Sequence, residues 1–468
     1  MPINTLNTTA RALATACLVA LTGTVAHATE PENYNKAPTG IPDPSIATSL
    51  PANGDPDGTR ALLAGRGVTY GFSYYGEVMG NPTGGFSQGS IYDGRAKIVV
   101  DLDLEKIIGW KGLSFHGNAY QIHGHGLTRD HIGNLLTATS VEALPSTRLY
   151  KASFDQKLSD KLSVRFGQFP ADAEFVVSDN AVSQFVNTTF GWPALNQSNL
   201  PSAGPAYPLT ALGVRLKYDP NDNLTLMLAT FDGDPAGPGK GDPQQRNNDG
   251  LNFRLKDAPF TIAEAQLHYK DAESIIGLPG TIKVGGWYHA GRFDDQRFDA
   301  NGAPIAATSA APRRLSTSHA LYGVIDQQIF RLPGGDASNG INVFGRITAA
   351  PADRSLIDLY IDGGLKFSGF VPGRPDDTIG LGFAYARIGD GRLADKDAVA
   401  LGSTIPVRNY EAVVELSYIA QIAPGWTVEP DLQYIIHPSG LVSDPTSNDP
   451  AKAIGDATVV GVRTLIRY

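Results

Sequence analysis

Asp172 and Glu174 stand two residues apart in a stretch rich in Asn, Phe and Trp. Paired carboxylates invite glycosidase chemistry. On one irregular loop and this close in sequence, they fit a constriction rather than a catalytic pair. His116, His123, His125 and His131, with Asp130, suggest metal ligands. Their spacing spans a strand end and a loop and lacks an H-E-x-x-H helix. Asp232, Asp234 and Asp242 lie among glycines but lack the register of an EF-hand loop, which makes them a solvated loop. Gly237-Pro238-Gly239-Lys240-Gly241 has the wrong spacing for a phosphate loop, and no helix follows it. No G-x-S-x-G elbow is present. No cofactor, metal or catalytic residue is expected.

The same residue types would suit a sugar passing through a pore. Its hydroxyl rim needs fixed donors and acceptors in place of water, and its C–H face needs an apolar or aromatic platform. Residues 170–210 offer both: Asp172, Glu174, Asn187, Asn196 and Asn199 beside Phe175, Phe185, Phe190, Trp192 and Tyr207. Arg95, Lys97, His116, Asn118, Tyr120, Arg165, Arg215 and Lys217 sit on predicted strands that would face this stretch. The predicted pore-constriction and sugar-contact set is Asp172, Glu174, Phe175, Asn187, Phe190, Trp192, Asn196, Arg95, Lys97, His116, Asn118, Arg165 and Arg215. The alternative for each aromatic is that it anchors the loop to a wall. For each strand residue it is a place in a salt-bridged ladder. Both charge signs project toward the predicted lumen, so strong selectivity for one ion is not indicated.

The elements that must position these groups are strands. In residues 409–421, Tyr410, Ala412, Val414, Leu416, Tyr418 and Ala420 alternate with Asn409, Glu411, Glu415, Ser417 and Gln421. Ala423-Pro424-Gly425 reverses the chain, and Val428, Leu432, Tyr434 and Ile436 then alternate with Thr427, Glu429, Asp431 and Gln433. This is a hairpin with period 2. Near residues 91–103, Asp93, Arg95, Lys97 and Asp101 share one strand face, a set that a dry core would not take unpaired but water would. The same grammar recurs along the chain and predicts about sixteen strands, with alternately short and long connections, as in a transmembrane barrel. A turn is expected at 81–85, a long outer loop at 290–318, and a local bulge at Pro430. The 170–210 connection is the third outer loop. Its aromatics need burial, so it is expected to fold into the lumen.

The chain of 468 residues has no apolar run long enough for a transmembrane helix and carries a formal net charge of -9, with no basic signal for nucleic acid. Arg11, the apolar run 12–25 and Ala26-His27-Ala28 predict a signal peptide over 1–28. The only cysteine, Cys17, lies within it. Residues 29–66 read as a periplasmic arm, disordered but for at most a short helix near 59–64. The barrel is expected over 67–468.

The runs Phe166-Gly167-Gln168-Phe169-Pro170-Ala171-Asp172-Ala173-Glu174-Phe175, Thr189-Phe190-Gly191-Trp192-Pro193 and Leu200-Pro201-Ser202-Ala203-Gly204-Pro205-Ala206-Tyr207-Pro208 resemble the carbohydrate-selective porin family OprB. So do Tyr92-Asp93-Gly94, Asp103-Leu104-Glu105-Lys106, Phe231-Asp232-Gly233-Asp234-Pro235-Ala236-Gly237 and Glu429-Pro430-Asp431-Leu432-Gln433-Tyr434. The resemblance implies a sixteen-stranded, all-β outer-membrane channel for glucose-like mono- and disaccharides. Two features depart from the family: no Trp-Gly-Gly-like helix start precedes the barrel, and the last residue is Tyr468 where Phe is commoner. The partners expected are the sugars, outer-membrane lipid and lipopolysaccharide, and the barrel-assembly machinery, with the channel a monomer or trimer. The alternatives are an outer-membrane barrel enzyme (a lipase or glycan hydrolase) and a secreted glycan-binding β-protein.

Overall fold

The computed structural model describes residues 40–468 apart from 43 and 275. Sixteen antiparallel strands close into a barrel in which each strand pairs with its sequence neighbours, and the first pairs with the last. They are β1 (Val68–Gly85), β2 (Ser90–Asp103), β3 (Leu113–Gly124), β4 (Ser146–Lys157), β5 (Leu162–Phe169), β6 (Ala211–Asn221), β7 (Leu224–Phe231) and β8 (Phe260–Tyr269). The circuit continues with β9 (Gly280–Asp299), β10 (Pro312–Arg331), β11 (Gly340–Ala349), β12 (Ile357–Ser368), β13 (Thr378–Ile388), β14 (Tyr410–Ala423), β15 (Trp426–Ile436) and β16 (Gly455–Arg467). Closure leaves no edge strand, so the backbone polar groups within the paired wall are satisfied without water, as a membrane requires.

Burial is inverted relative to a soluble protein. On the β14–β15 hairpin Glu411, Glu415, Ser417 and Gln433 are fully buried, while Val414, Leu416, Leu432 and Tyr434 are exposed. Outward aromatics cluster at two levels. Tyr92, Tyr288 and Tyr434 lie toward the long-loop rim, and Tyr218, Phe330 and Trp426 toward the short-turn rim. Aromatic girdles of this kind settle at bilayer interfaces, where the Tyr and Trp rings are amphipathic.

Several local expectations change. The 81–85 stretch is strand, not turn: β1 runs to Gly85, and Asn81 organises the reversal beyond it by donating to the Ser87 carbonyl (2.8 Å) and accepting from the Gly89 N–H (3.1 Å). The 290–318 loop is mostly strand as well, since β9 and β10 each run for 20 residues and stand above the rim. Pro430 makes no bulge. The β14–β15 ladder runs from Ser417–Asp431 to Ala420–Val428 in one register, skipping the pairs beside the proline, which has no N–H to give. Arg387 carries a cation on the outward parity of β13. It lies at the rim end of that strand and is held by Asp358 (2.8 Å) at an irregularity in the β12–β13 pairing.

The described part of the N-terminal arm is packed rather than loose, and a helix spans Thr59–Gly65. Arg60 is buried between the rings of Tyr70 (4.8 Å) and Tyr468 (5.1 Å) and donates to the carbonyls of Gly40 and Tyr70. Tyr468 donates to the Gly54 carbonyl (2.8 Å), which ties the chain's last residue to the arm. The predicted signal peptide lies outside the described residues.

Candidate pore constriction

The third loop, residues 170–210, is held by lumen-facing side chains from many strands. Glu264 on β8 accepts the Val176 N–H (2.8 Å) and Lys283 on β9 donates to the Val177 carbonyl (2.7 Å). Asp326 on β10 accepts from the Ser178 hydroxyl (2.7 Å) and the Asp179 N–H (3.2 Å), at the start of the short helix Asp179–Val182. Arg346 on β11, itself paired with Asp362 on β12, donates to the carbonyls of Val176, Thr189 and Gly191. Glu415 on β14 takes the N–H groups of Val186 (2.5 Å) and Asn187 (3.1 Å). Each carboxylate satisfies donors that an irregular backbone could not otherwise pair away from water. Val176 has φ +63°, costly for a β-branched residue, and the two bonds from Glu264 and Arg346 fix both of its backbone polar groups there.

The loop's aromatics face this wall. Phe185 and Phe190 stack at 4.5 Å between centroids and meet Phe344 of β11, and Phe175 and Trp192 are fully buried. Phe185 and Phe190 seat on β13, whose inward positions are Gly380, Gly382, Ala384 and Ala386. A Cβ at Gly382 would come within 2.9 Å of both rings. Asn187 bonds Gln433 (3.0 Å), Asn196 accepts from Trp287 Nε1 (2.8 Å), and Asn199 brackets the Ile357 backbone at the start of β12. Phe175, Phe190, Trp192, Asn187 and Asn196 therefore present no surface to a passing solute. The sequence reading of them as solute contacts is corrected to loop anchors, because Gln433 and Trp287 hold the two Asn side chains on the wall and the three rings are buried away from the lumen.

The second loop, residues 125–145, also folds inward, which sequence reasoning missed. Glu411 accepts the Leu135 and Leu136 N–H groups (2.8 and 2.6 Å) and Arg463 of β16 donates to Thr139 and Ser140. Thr139 in turn donates to Glu77 of β1. Within this loop Glu142 accepts the Thr128 and Arg129 N–H groups (both 3.0 Å), and burial pushes its carboxyl up to about 7.

These two loops cover the wall from β8 round to β1. The polar face left to the lumen is on β2–β6, where the predicted strand residues gather. Asp155 on β4 meets Arg165 on β5 (2.7 Å), Arg215 on β6 (3.4 Å) and His116 on β3 (3.3 Å). Glu174, projecting from the third loop, closes the set with 2.7 Å contacts to Arg165 Nη1 and Arg215 Nε. His116 Nδ1 lies 2.6 Å from Asp101. Lys97, Asn118 and Lys151 line a small recess beside them. Arg95 lies deeper, against the rings of Tyr75, Tyr120 and Tyr207 at 4.7–5.1 Å. Asp172 is buried and accepts the Tyr207 N–H (3.0 Å), so it braces the loop's return. Asp101, Lys151 and Asp155 belong to the cluster but not to the predicted set. Their inward parity on β2 and β4 was available, except that a register shift in the β3–β4 pairing beside Lys151 disguises its face. Among the described residues no group of three or more His, Asp or Glu side chains is placed to hold a metal.

A closed barrel of sixteen strands, oily outside and polar within, narrowed by inward loops, defines an outer-membrane porin. The description "Carbohydrate-selective porin, OprB family" matches residues 87–468, most of the chain, and the protein belongs to that family. It is 26% identical over 407 residues to Porin B of Pseudomonas aeruginosa, an alignment covering 83% of this chain and 87% of that one. It is 22% identical over 436 residues to the putative porin QuiX of Acinetobacter baylyi, covering 89% and 92% respectively. The high-pH structure of Pseudomonas putida OprB superposes with a TM-score of 0.77 at 25% identity, covering 88% of this chain and 97% of that chain. The protein is thus a bacterial outer-membrane sugar channel and not an enzyme.

Proposed function

We propose that glucose-like mono- and disaccharides diffuse passively along the β2–β6 face, opposite the third loop, and exchange hydroxyl hydrogen bonds with Arg165, Arg215, Asp155, Glu174, His116 and Lys97. One observation carries this reading: a loop carboxylate and a wall carboxylate both grip the same two guanidinium groups, within 2.7–3.4 Å. Interleaved donors and acceptors of opposite charge suit a neutral, polyhydroxylated solute, which needs both and gains nothing from net charge. The charge balance also keeps small ions from dominating the site. On the short-turn side, open recesses of about 1050 Å³ beside Lys217 and Asp219 and about 610 Å³ beside Asp326 and Lys366 adjoin the proposed path. The short-turn rim would face the periplasm, after export and removal of residues 1–28 and insertion by the barrel-assembly machinery, with lipid and lipopolysaccharide around the barrel of a monomer or trimer. The test is sugar block of single-channel conductance in planar bilayers. R165Q and R215Q should each weaken block by glucose and maltose several-fold. Unchanged block in both variants would place the sugar path elsewhere.

A further inference from the structure

The long fourth loop carries an apolar row that an aqueous loop does not need. Leu251, Phe253 and Leu255 are each more than half exposed, with Leu255 at 74%, and they alternate with Asn252, Arg254 and Lys256. The row lies where the wall is low. β5 and β7 are only 8 residues long, short of the about 9–11 residues a tilted strand needs to cross the apolar layer.

Above the end of β5, the free upper edge of β4 is taken up by this loop. The Leu149 N–H donates to the Asp249 carbonyl (2.9 Å), and Gln168, near the last position of β5, donates to the carbonyls of Gly250 (2.9 Å) and Leu149 (3.3 Å). Gly250 is required there: its φ is +70°, and a Cβ would fall 1.9 Å from the Leu149 carbonyl oxygen. At the far end, the Ala290 N–H of β9 donates to the Pro259 carbonyl (3.0 Å). The segment thus bridges β4 to β9 across the tops of β5–β8. Its depth follows from the ladders. Leu149 pairs with Ala119, which pairs with the lipid-facing Ile98, and the interfacial Tyr92 lies further up that strand.

Irregular backbone does not face hydrocarbon unless its polar groups are satisfied. Here side chains of the same loop accept several of the N–H groups: Asp249 takes that of Leu251 (3.0 Å), Asn247 that of Asn252 (3.2 Å), and Asp232 that of Lys256 (2.9 Å). Arg254 pairs with Asp257 (2.7 Å). The geometry points to residues 249–257 serving as a surrogate piece of barrel wall, whose Leu251–Phe253–Leu255 face contacts the acyl chains and glycerol region of outer-leaflet lipid. The occupant is lipid because this row continues, side by side, the apolar belt of β4 and β9.

The test places a nitroxide label on F253C in the full-length barrel, reconstituted in phospholipid vesicles. I98C on the lipid face and K240C on an exposed part of the same loop serve as references. F253C should collide with oxygen in preference to a water-soluble nickel complex, in the same sense as I98C. L255C provides a second reading should F253C disturb assembly, with heat-modifiable gel mobility confirming a folded barrel in each case. Nickel-favoured collision like that of K240C would overturn the inference. So would protection from both reagents with spin–spin broadening, which would mean that a second copy of the chain covers the face.

Discussion

Replacing Glu174 by Gln removes one of the two carboxylates that hold Arg165 and Arg215 and keeps the side chain's shape. Wild type brings two guanidinium and two carboxylate groups together within 3.4 Å, a balanced set. E174Q leaves it with one net positive charge. A monovalent ion passing ~6 Å away through a water-filled lumen feels about 0.7 kcal/mol from that charge. The sign is opposite for cations and anions, so the two separate by about 1.4 kcal/mol, or about tenfold in permeability ratio. The measurement is the reversal potential of a planar bilayer under a KCl gradient, which should move toward anion selectivity. The shift should shrink in molar salt, where the Debye length falls to about 3 Å. Sugar flux, followed by liposome swelling, should change by less than about twofold, because the Gln carbonyl still accepts and the gap keeps its width. An unchanged reversal potential at low salt would mean that permeating ions do not pass the Arg165–Arg215 face, and the proposed route would fall with it.

Other perturbations separate anchoring from contact. Trp192→Ala empties a fully buried site and should cost about 3–5 kcal/mol of loop packing. Ion conductance and sugar flux should rise together with added current noise, and a loss confined to sugar block would show that the ring touches solute after all. Glu415→Gln keeps one acceptor for the Val186 and Asn187 N–H groups and should loosen the third loop by about 1–3 kcal/mol, read as faster hydrogen exchange at those two amides. Exchange that stays slow there would show the loop to be held without Glu415. Burial raises the Glu142 carboxyl from its ordinary 4.5 to about 7, so the folded form favours the proton. Its contribution is full below about pH 4.5 and is lost as pH rises through about 7, at most about 3 kcal/mol. Protection of the Thr128 and Arg129 amides, corrected for intrinsic exchange, should fall over that window, and protection that rises instead would reverse the assignment.

Much of the architecture was legible because a barrel strand meets two solvents. Most of the sixteen strands betrayed themselves by alternation, and β15 ends at Ile436, where its predicted alternation ends. Where the alternation blurs, a third environment intervenes. β13 reads poorly because its small inward residues Gly380, Gly382, Ala384 and Ala386 face neither water nor lipid: all are buried, Gly382 against Phe185 and Phe190 of the third loop and Gly380 against its Gln184. That run of small inward residues was the available signal for the loop's docking groove. β9 and β10 outran their apolar pattern because above the membrane both faces are wet, and only pairing marks them as strand.

The candidate site divides along the same line. Arg165, Arg215, His116 and Lys97 were visible from parity alone, since a charged residue on an inward position must line the lumen or meet a partner there. Which loop residue would close on them was not. Glu174 reaches the guanidinium pair while Asp172, two residues earlier, turns to the Tyr207 backbone, and nothing periodic distinguishes the two. Alternation alone specifies the cylinder, its lipid-facing belt and its polar interior, because it is a local property repeated every second residue. Which part of that interior stays open to solute is set only once the chain has folded. The course of an aperiodic loop is fixed by long-range bonds to wall carboxylates and arginines, and those partners come together only when the barrel closes.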